Sequence, residues 1–220
     1  MVRLKLARKR IGYNKSRGNM KLYLTIILTA MALIAGVNIL AGTATWYYII
    51  ISVIWCTVLQ FVLDGAIAII VQKLPSSWFD ANKRCFCITE RERALYKKLR
   101  VRKWKEKVWE LGGLGGFSKR TIKEPRNRAY IERYILECNK GVVTHRVSYF
   151  IGFLAMLTMY NVCTFTIAVP VALVNLFLNV LPTIILRDNV PRLKSALEHI
   201  RRCEERAKRS QAEELTNTAQ

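Results

Sequence analysis

The sequence predicts an all-α integral membrane protein, with about four transmembrane or re-entrant helices in two hairpins and a basic amphipathic cytoplasmic helical insert between them. Two apolar runs predict the hairpins: residues 22–72 contain one charged side chain, Asp64, and residues 147–186 contain none. A helix needs about 20 apolar residues to cross a hydrocarbon core of roughly 30 Å, so each run is long enough for two crossings. The surrounding segments are basic, and the chain carries a formal net charge of +21.

The charge pattern divides the chain into five regions. They are a basic N-terminal arm (1–21), a first transmembrane hairpin (22–72), a basic amphipathic interfacial region (73–146), a second transmembrane or re-entrant hairpin (147–186) and a basic C-terminal helix and tail (187–220). Segments rich in Lys and Arg remain in the cytoplasm, whereas the connecting turns here are short and nearly uncharged. We therefore expect a multi-pass protein of the cell membrane with both termini in the cytoplasm.

The first hairpin has spans at residues 22–40 and 47–71, joined by the weak turn "AGTAT". Its first span is too long for a signal peptide and no A-x-A cleavage pattern follows, so we expect it to stay attached. In the second hairpin, the turn could lie near Asn161 or near Pro170.

In the insert, Pro75 should end the helix of the second span. Residues 89–111 read as one amphipathic helix with Thr89 as its N-cap, followed by the glycine-rich turn "GGLGG". Its apolar stripe consists of Ala94, Val101, Trp104, Val108 and Leu111. Basic residues fill most other positions, a pattern typical of a helix lying flat on an anionic membrane surface.

A second insert helix should begin near Pro125 and run into the membrane. Tyr130, Tyr134, Cys138 and Val142 share one of its sides. Glu137, Gly141 and His145 share another, with the glycine as a notch. Glu137 and His145 lie about 12 Å apart along the axis, so they could flank a ligand but could not bond to each other. Further on, Pro191 should mark a break after the last span.

Two polar residues of the hydrophobic regions are candidates for chemistry. His145 lies where a basic helix enters the membrane and could accept a proton from a hydroxyl; it could equally be a histidine held at the interface for structural reasons. Asp64 is the one carboxylate inside a predicted span, where a charge is costly and needs a partner or a function.

Other polar residues flank the last span. Arg187, Asn189 and Arg192 could bind phosphate at its cytoplasmic end, or serve only as positive-inside anchors. Asn179 is a polar group in hydrocarbon and needs a partner.

Several classes of protein are excluded by what the sequence lacks. The six cysteines and two histidines show no zinc spacing, since only Cys85 and Cys87 are close together, so we expect no metal. Serine-nucleophile, paired-carboxylate and nucleotide-binding motifs are absent. We expect no nucleic-acid partner, because membrane topology explains the charge.

Five segments occur in an order that resembles a known family: "KLPSSWF", then Glu90, "VRKWKEK…GG…FSK", "IERYILECNKGVVTH" and "N…RDNVPRL". The chain resembles the glycosyl-4,4'-diaponeurosporenoate acyltransferases, small bacterial membrane proteins of carotenoid synthesis, over roughly residues 70–200. It departs from them in its long N-terminal arm and in "VWELGG", which lacks the expected proline. The family pattern falls on Pro75, Phe79, Glu90, Lys103, Trp104, Lys105, Phe117, Lys119, Glu137, His145, Asn179, Arg187, Asn189, Pro191 and Arg192.

The resemblance implies transfer of a fatty acyl group from acyl-CoA or acyl carrier protein to a sugar hydroxyl of a membrane glycolipid, without a bound cofactor. His145 would be the general base and Glu137 would position the acceptor. Three lysines, Lys103, Lys105 and Lys119, would bind donor phosphates or the acidic carrier, whereas Arg187 and Arg192 would bind headgroup or thioester oxygens.

One alternative remains open from the sequence: a non-enzymatic membrane scaffold or lipid-binding subunit of a complex. Such a protein would explain the basic stripe and the topology equally well. It would not explain the polar groups around Gly141 or the carboxylate of Asp64 within a span. Convergence of the polar residues on one site would favour the enzyme.

Overall fold

The computed structural model describes residues 2–105, 108, 124–159 and 161–218, with side chains between residues 20 and 213. Within these ranges the chain is helical and has no β-strand, which confirms the all-α fold. The helices are α1 (Val2–Leu40), α2 (Trp46–Lys73), α3 (Glu90–Lys98), α4 (Val101–Trp104), α5 (Arg128–Ile151) and α6 (Val169–Thr218). Short 3₁₀ turns lie at Ser76–Phe79, Arg84–Phe86 and Gly152–Thr158, and a π-helical turn at Thr164–Ala168.

Four described helical segments are long and apolar enough to cross a membrane: Met20–Leu40, Trp46–Lys73, Arg128–Thr158 and Thr164–Glu213. Large apolar side chains are exposed along the outer faces of α1 and α2, as expected for surfaces that contact lipid. Gly42, with φ +63°, lies in the turn between these two helices. The turn of the second hairpin lies at Asn161, whose φ is 53°, whereas Pro170 lies within α6.

The interior is built mainly by α5 against α6. One side of α5, with Ile131, Tyr134, Cys138 and Val142, packs against Leu186, Val190 and Leu193 of α6. This confirms the apolar side of α5 that the four-residue spacing predicts, and Asn127 caps the helix by accepting a hydrogen bond from the Tyr130 backbone N–H at 3.2 Å. A second cluster joins α2 to the start of α6 deeper in the bundle.

The prediction of a break at Pro191 is wrong, because α6 runs without interruption through both Pro182 and Pro191. A proline inside a helix removes one backbone hydrogen bond and usually bends or breaks it. Here Val190 and Leu193, on either side of Pro191, are both held in the apolar core against α5. Tertiary packing therefore offsets the local cost. In the same way, α1 is one helix from Val2 to Leu40, so it runs without a break from the N-terminal arm (1–21) into the first hairpin (22–72).

The prediction of one helix over residues 89–111 is also wrong. Thr89 is the N-cap, as expected, and its hydroxyl accepts from the Glu92 backbone N–H at 3.2 Å. The helix ends at Lys98, and Arg100 adopts a left-handed conformation with φ 49° before the single turn α4. This interruption changes the phase of the stripe, so Ala94 is exposed while Val101 packs against Ile185 of α6. Leu111 and "GGLGG" lie outside the described residues.

Candidate active site

Polar residues spaced by four form one face on each of two membrane helices. Asn175, Asn179, Thr183 and Arg187 follow this spacing on α6; on α2, Gln60 and Asp64 are four apart and Gln72 follows eight residues later, with Ala68 between them. Residues at i and i+4 lie on the same side of a helix, so each set forms a strip. The two strips meet α5 at His145 and the 3₁₀ turn that follows it at Gly152. We call the inner part of this junction, Gln60, Asp64, His145, Asn175 and Asn179, the polar seam.

Asn179 lies between His145 and Asp64 and contacts both. Its Nδ2 donates to Asp64 Oδ2 at 3.2 Å and to the Asn175 backbone oxygen at 3.0 Å. Its Oδ1 lies 2.7 Å from His145 Nδ1. Because an amide oxygen only accepts, the histidine donates from Nδ1–H, and this tautomer places the imidazole lone pair on Nε2. The arrangement is that of a base oriented by an amide and a carboxylate.

The polar seam contains buried polar atoms without a hydrogen-bond partner in the described structure, namely Gln60 Oε1, Asp64 Oδ1 and Asn175 Nδ2. Such an atom costs about 1–3 kcal/mol when it is left unpaired. Gln60 is 4% exposed, and its Nε2 donates to the Gly152 carbonyl oxygen at 3.0 Å. The seam therefore has unused hydrogen-bonding capacity in a buried place, which is typical of a ligand site.

Gly152 allows this close approach. A Cβ at this position would lie 3.1 Å from both Asn175 Nδ2 and Gln60 Oε1. That distance is tighter than ordinary van der Waals contact, so a side chain would press on the two amides. The residue type at position 152 therefore controls the geometry of the inner end of the seam.

A second polar cluster lies around Arg187, where α6 meets the segment before α3. Its guanidinium donates from Nε and Nη2 to the Glu92 carboxylate, the latter at 2.7 Å, and from Nη1 and Nη2 to the backbone oxygens of Cys85 and Cys87 at 2.9 and 3.0 Å. Tyr96 also donates to Glu92. We call Glu92, Tyr96, Arg187 and these two carbonyls the interface clamp.

The ionisation of Glu92 follows from this environment. Burial by itself would raise the pKa of its carboxyl group, but hydrogen bonds from Arg187 and Tyr96, together with the positive charge of Arg187, outweigh burial and lower it. Glu92 is therefore a carboxylate in the folded protein. The side chain of Arg187 is only 7% exposed, so the pair is largely shielded from solvent.

Side chains from α5 and α6 bind the segment between α2 and α3. Asn139 Nδ2 donates to the Phe79 carbonyl oxygen at 2.9 Å, and Lys140 Nζ donates to the Gln72 carbonyl oxygen at 3.2 Å. The Lys140 ammonium also lies 5.7 Å from the centre of the Phe79 ring. Lys194 donates to the Ala81 carbonyl oxygen. These contacts hold the segment after α2 against α5 and α6.

Of the residues singled out from the sequence, the structure brings Asp64, Asn179 and His145 together. Glu137 lies apart, near the outer end of α2, where its Oε2 is 3.5 Å from Gln72 Nε2. Glu90 is exposed and forms a 3.6 Å surface ion pair with Arg93. Glu92, two residues later, is the acid that enters the buried cluster.

The described basic candidates are exposed or partly buried. Lys103 is exposed, and Lys105 Nζ is 3.4 Å from Asn189 Oδ1. Trp104 donates to the Leu99 carbonyl oxygen at 3.0 Å. Arg192 pairs with Asp188 one turn away on α6. Lys119 and Phe117 lie outside the described residues.

Sequence reasoning missed several residues of the two clusters. Gln60 and Asn175 have a detectable signal, because each lies four residues before a polar residue that the sequence does single out. Glu92 has no such signal in the sequence. Glu90, two residues earlier, is also a glutamate, and only the fold shows which of the two contacts Arg187. Among the described residues, no group of three or more His, Cys, Asp or Glu side chains is placed to hold a metal ion.

Comparison with known families gives the chemical class. The pattern of the glycosyl-4,4'-diaponeurosporenoate acyltransferase family matches residues 75–199, more than half of the chain. The match covers His145, Asn179 and the interface clamp, and it excludes α1 and Asp64. Searches of curated proteins and of solved structures gave no match. This helical membrane protein belongs to the glycosyl-4,4'-diaponeurosporenoate acyltransferase family and is an O-acyltransferase acting on a glycolipid.

Proposed function

We propose that this protein transfers a fatty acyl group from a thioester donor to a sugar hydroxyl of a membrane glycolipid, with His145 as general base. The observation that supports this most directly is the hydrogen bond between His145 Nδ1 and Asn179 Oδ1, with Asn179 bonded in turn to Asp64. These two hydrogen bonds orient the imidazole and make Nε2 its basic nitrogen. The negative charge of Asp64 stabilises the imidazolium that forms during the reaction.

The proposed reaction proceeds in two steps. His145 Nε2 takes the proton from the acceptor hydroxyl as its oxygen attacks the thioester carbonyl, which forms a tetrahedral intermediate. The intermediate then collapses, the carbon–sulfur bond breaks, and the imidazolium returns its proton to the leaving thiolate. The products are an ester of the sugar and a free thiol, and the histidine ends in its starting state.

The donor and acceptor would approach from the cytoplasmic end. Coenzyme A and acyl carrier protein both hold the acyl group on a long phosphopantetheine arm. Lys103, Lys105 and Lys119 would bind the phosphates of coenzyme A or the acidic carrier, and Arg192 the headgroup. Glu137, near Gln72, would bind other sugar hydroxyls about 12 Å outward from His145 along α5. We propose further that the protein lies in the cell membrane, on anionic lipid, with both termini in the cytoplasm.

Arg187 has a different role in this proposal from the one that the sequence suggests. Its guanidinium is occupied by Glu92 and by two backbone carbonyls, so binding of thioester oxygens would require these bonds to break. We assign it to holding the segment before α3 against α6.

The proposal is tested by acyl transfer in the purified protein and by lipid analysis of a deletion strain. We expect His145→Ala to lower the turnover number by roughly 10²–10⁴-fold. His199→Ala is the matched control, because this exposed histidine lies in the tail, far from the seam. Deletion should remove one acylated glycolipid, which would identify acceptor and acyl chain. Near-wild-type transfer by His145→Ala would contradict the role of this residue, and an unchanged lipid profile would favour the scaffold.

A further inference from the structure

A cleft that is partly open to its surroundings lies between α1, α2 and α6. Its walls are mostly apolar and include Ile27, Ala30 and Met31 of α1. Few polar residues line the cleft, and two of them, Gln60 and Asn175, belong to the polar seam. The cleft therefore lies next to the polar seam, and His145, the proposed general base, does not line it.

Gln60 and Asn175 connect the cleft to the seam. Asn175 Oδ1 accepts from Asn179 Nδ2 at 3.1 Å, and Gln60 precedes Asp64 by one helical turn. Both residues line the cleft, and each has a buried amide atom without a partner in the described structure. The side chain of Gln60 is almost fully buried. A ligand in the cleft could thus place one polar atom between these amides.

The inner end of the cleft is closed. Met31, Ile34 and Val171, which line it, pack into the buried cluster formed by α2 and the start of α6. Asn38 Nδ2 donates to the Thr166 carbonyl oxygen at 2.9 Å and ties the end of α1 to this floor. From Tyr23 at the outer end to Ile34 is about 16 Å along the helix axis. The space is narrow, elongated and closed at the apolar end.

We propose that this cleft binds the acyl chain of the thioester donor and limits its length. The inference rests on the proposed function. The chain would lie along α1 with its methyl end at Ile34 and Val171. Its thioester would lie at the outer end of the cleft, beside Asn179, which is about 12 Å from Val171 along α6. A lining that is mostly apolar, with few polar groups, matches an acyl chain and does not match a sugar with several hydroxyls. Since α1 lies outside residues 75–199 whereas Val171 lies inside them, only part of the cleft belongs to the family-matched part of the chain.

Photocrosslinking tests occupancy of the cleft without requiring turnover. His145→Ala protein in vesicles of phosphatidylglycerol and phosphatidylethanolamine would be irradiated with an acyl-CoA carrying a diazirine at its methyl end. We expect labels on Met31, Ile34 or Val171, and their loss when excess unlabelled acyl-CoA competes. Labels on lipid-facing Leu33 and Val37 instead would overturn the proposal. So would stronger labelling of the cleft by a glucosyl lipid with a diazirine in its tail.

Chain-length selection gives a second test with a matched control. Ala30→Phe puts bulk into the cleft, whereas Ala32→Phe puts the same bulk on the exposed face of α1. We expect Ala30→Phe to shift the kcat/KM ratio of long to short acyl donors by about tenfold or more towards short donors. Ala32→Phe should leave this ratio within about twofold. Equal ratios in the two variants would contradict the inference. If His145→Ala stays active while the crosslink maps to the cleft, only the general-base role fails.

Discussion

The interface clamp and the polar seam are both built around a carboxylate that contacts α6, yet they differ in how completely their hydrogen bonds are formed. In the clamp, both oxygens of Glu92 accept, and all three nitrogens of Arg187 donate. In the seam, one oxygen of Asp64 and one amide atom each of Gln60 and Asn175 have no partner in the described structure.

This difference separates a structural cluster from a functional one. A buried charge that is fully paired holds its elements in one arrangement, and removing one partner is costly. A buried polar group that is left partly unpaired lowers stability, and is kept where a ligand or a reacting atom will complete it. We therefore expect changes in the clamp to act on stability and changes in the seam to act on catalysis.

The largest effect on stability should come from Arg187→Met. This change leaves the Glu92 carboxylate without its main partner in a shielded position, and we expect a loss of about 3–5 kcal/mol in the free energy of unfolding. The measurement is equilibrium unfolding in detergent. Arg192→Met is the control, because the Arg192–Asp188 pair is more exposed and should contribute about 0–1 kcal/mol. Equal losses in the two variants would show that the clamp is no more than a surface pair.

A smaller effect should appear in the pH dependence of stability. The pKa of Glu92 is lowered on folding, so its stabilising contribution is present above the ordinary value of 4.5 and is lost as the pH falls through the folded pKa. We expect Glu92→Gln to lose less stability than wild type when Tm is followed from pH 6 to pH 3. Glu90→Gln, which changes an exposed acid two residues away, should follow the wild-type curve. If Tm of Glu92→Gln changes with pH as it does in the wild type, the Glu92 carboxylate does not contribute to stability as proposed.

The smallest effect is expected from Gly152→Ala, which adds one methyl group at the inner end of the seam. The new Cβ would meet Asn175 Nδ2 and Gln60 Oε1 at 3.1 Å, and one of these amides must shift. We expect acyl transfer to fall several-fold while Tm changes little. Gly65→Ala, next to Asp64, meets nothing within 4 Å and should have wild-type activity. Equal activity in both variants would show that the seam does not depend on this geometry.

The membrane fold could be predicted from the sequence because it depends on long-range composition. Two apolar runs, which contain one charged side chain between them, and three basic segments indicate where the spans lie. The helix boundaries at Pro191 and Arg100 could not be predicted in this way. At Pro191, packing against α5 overrides a local helix breaker, and at Arg100 a left-handed residue interrupts a stripe that appears continuous in the sequence.

The sequence indicated which residues belong to the candidate site better than it indicated which of them contact one another. Asp64, Asn179 and His145 each stand out as polar residues near or within hydrocarbon, and each was expected to need a partner or a function. That they contact one another depends on the antiparallel register of α2, α5 and α6, which spacing within one helix does not give. The choice of Glu92 over Glu90 depends likewise on the position of Arg187 across the fold.

The most direct test compares Asp64→Asn with Glu92→Gln. Each change replaces one carboxylate oxygen by an NH2 group and so converts the carboxylate into an amide. For Asp64→Asn we expect the turnover number to fall by roughly 10²-fold, within the range of general-base catalysis, with Tm nearly unchanged. For Glu92→Gln we expect a lower Tm and near-wild-type turnover per folded molecule at a permissive temperature. If Asp64→Asn unfolds the protein and Glu92→Gln abolishes turnover, the assignment of catalysis to the seam and stability to the clamp is wrong.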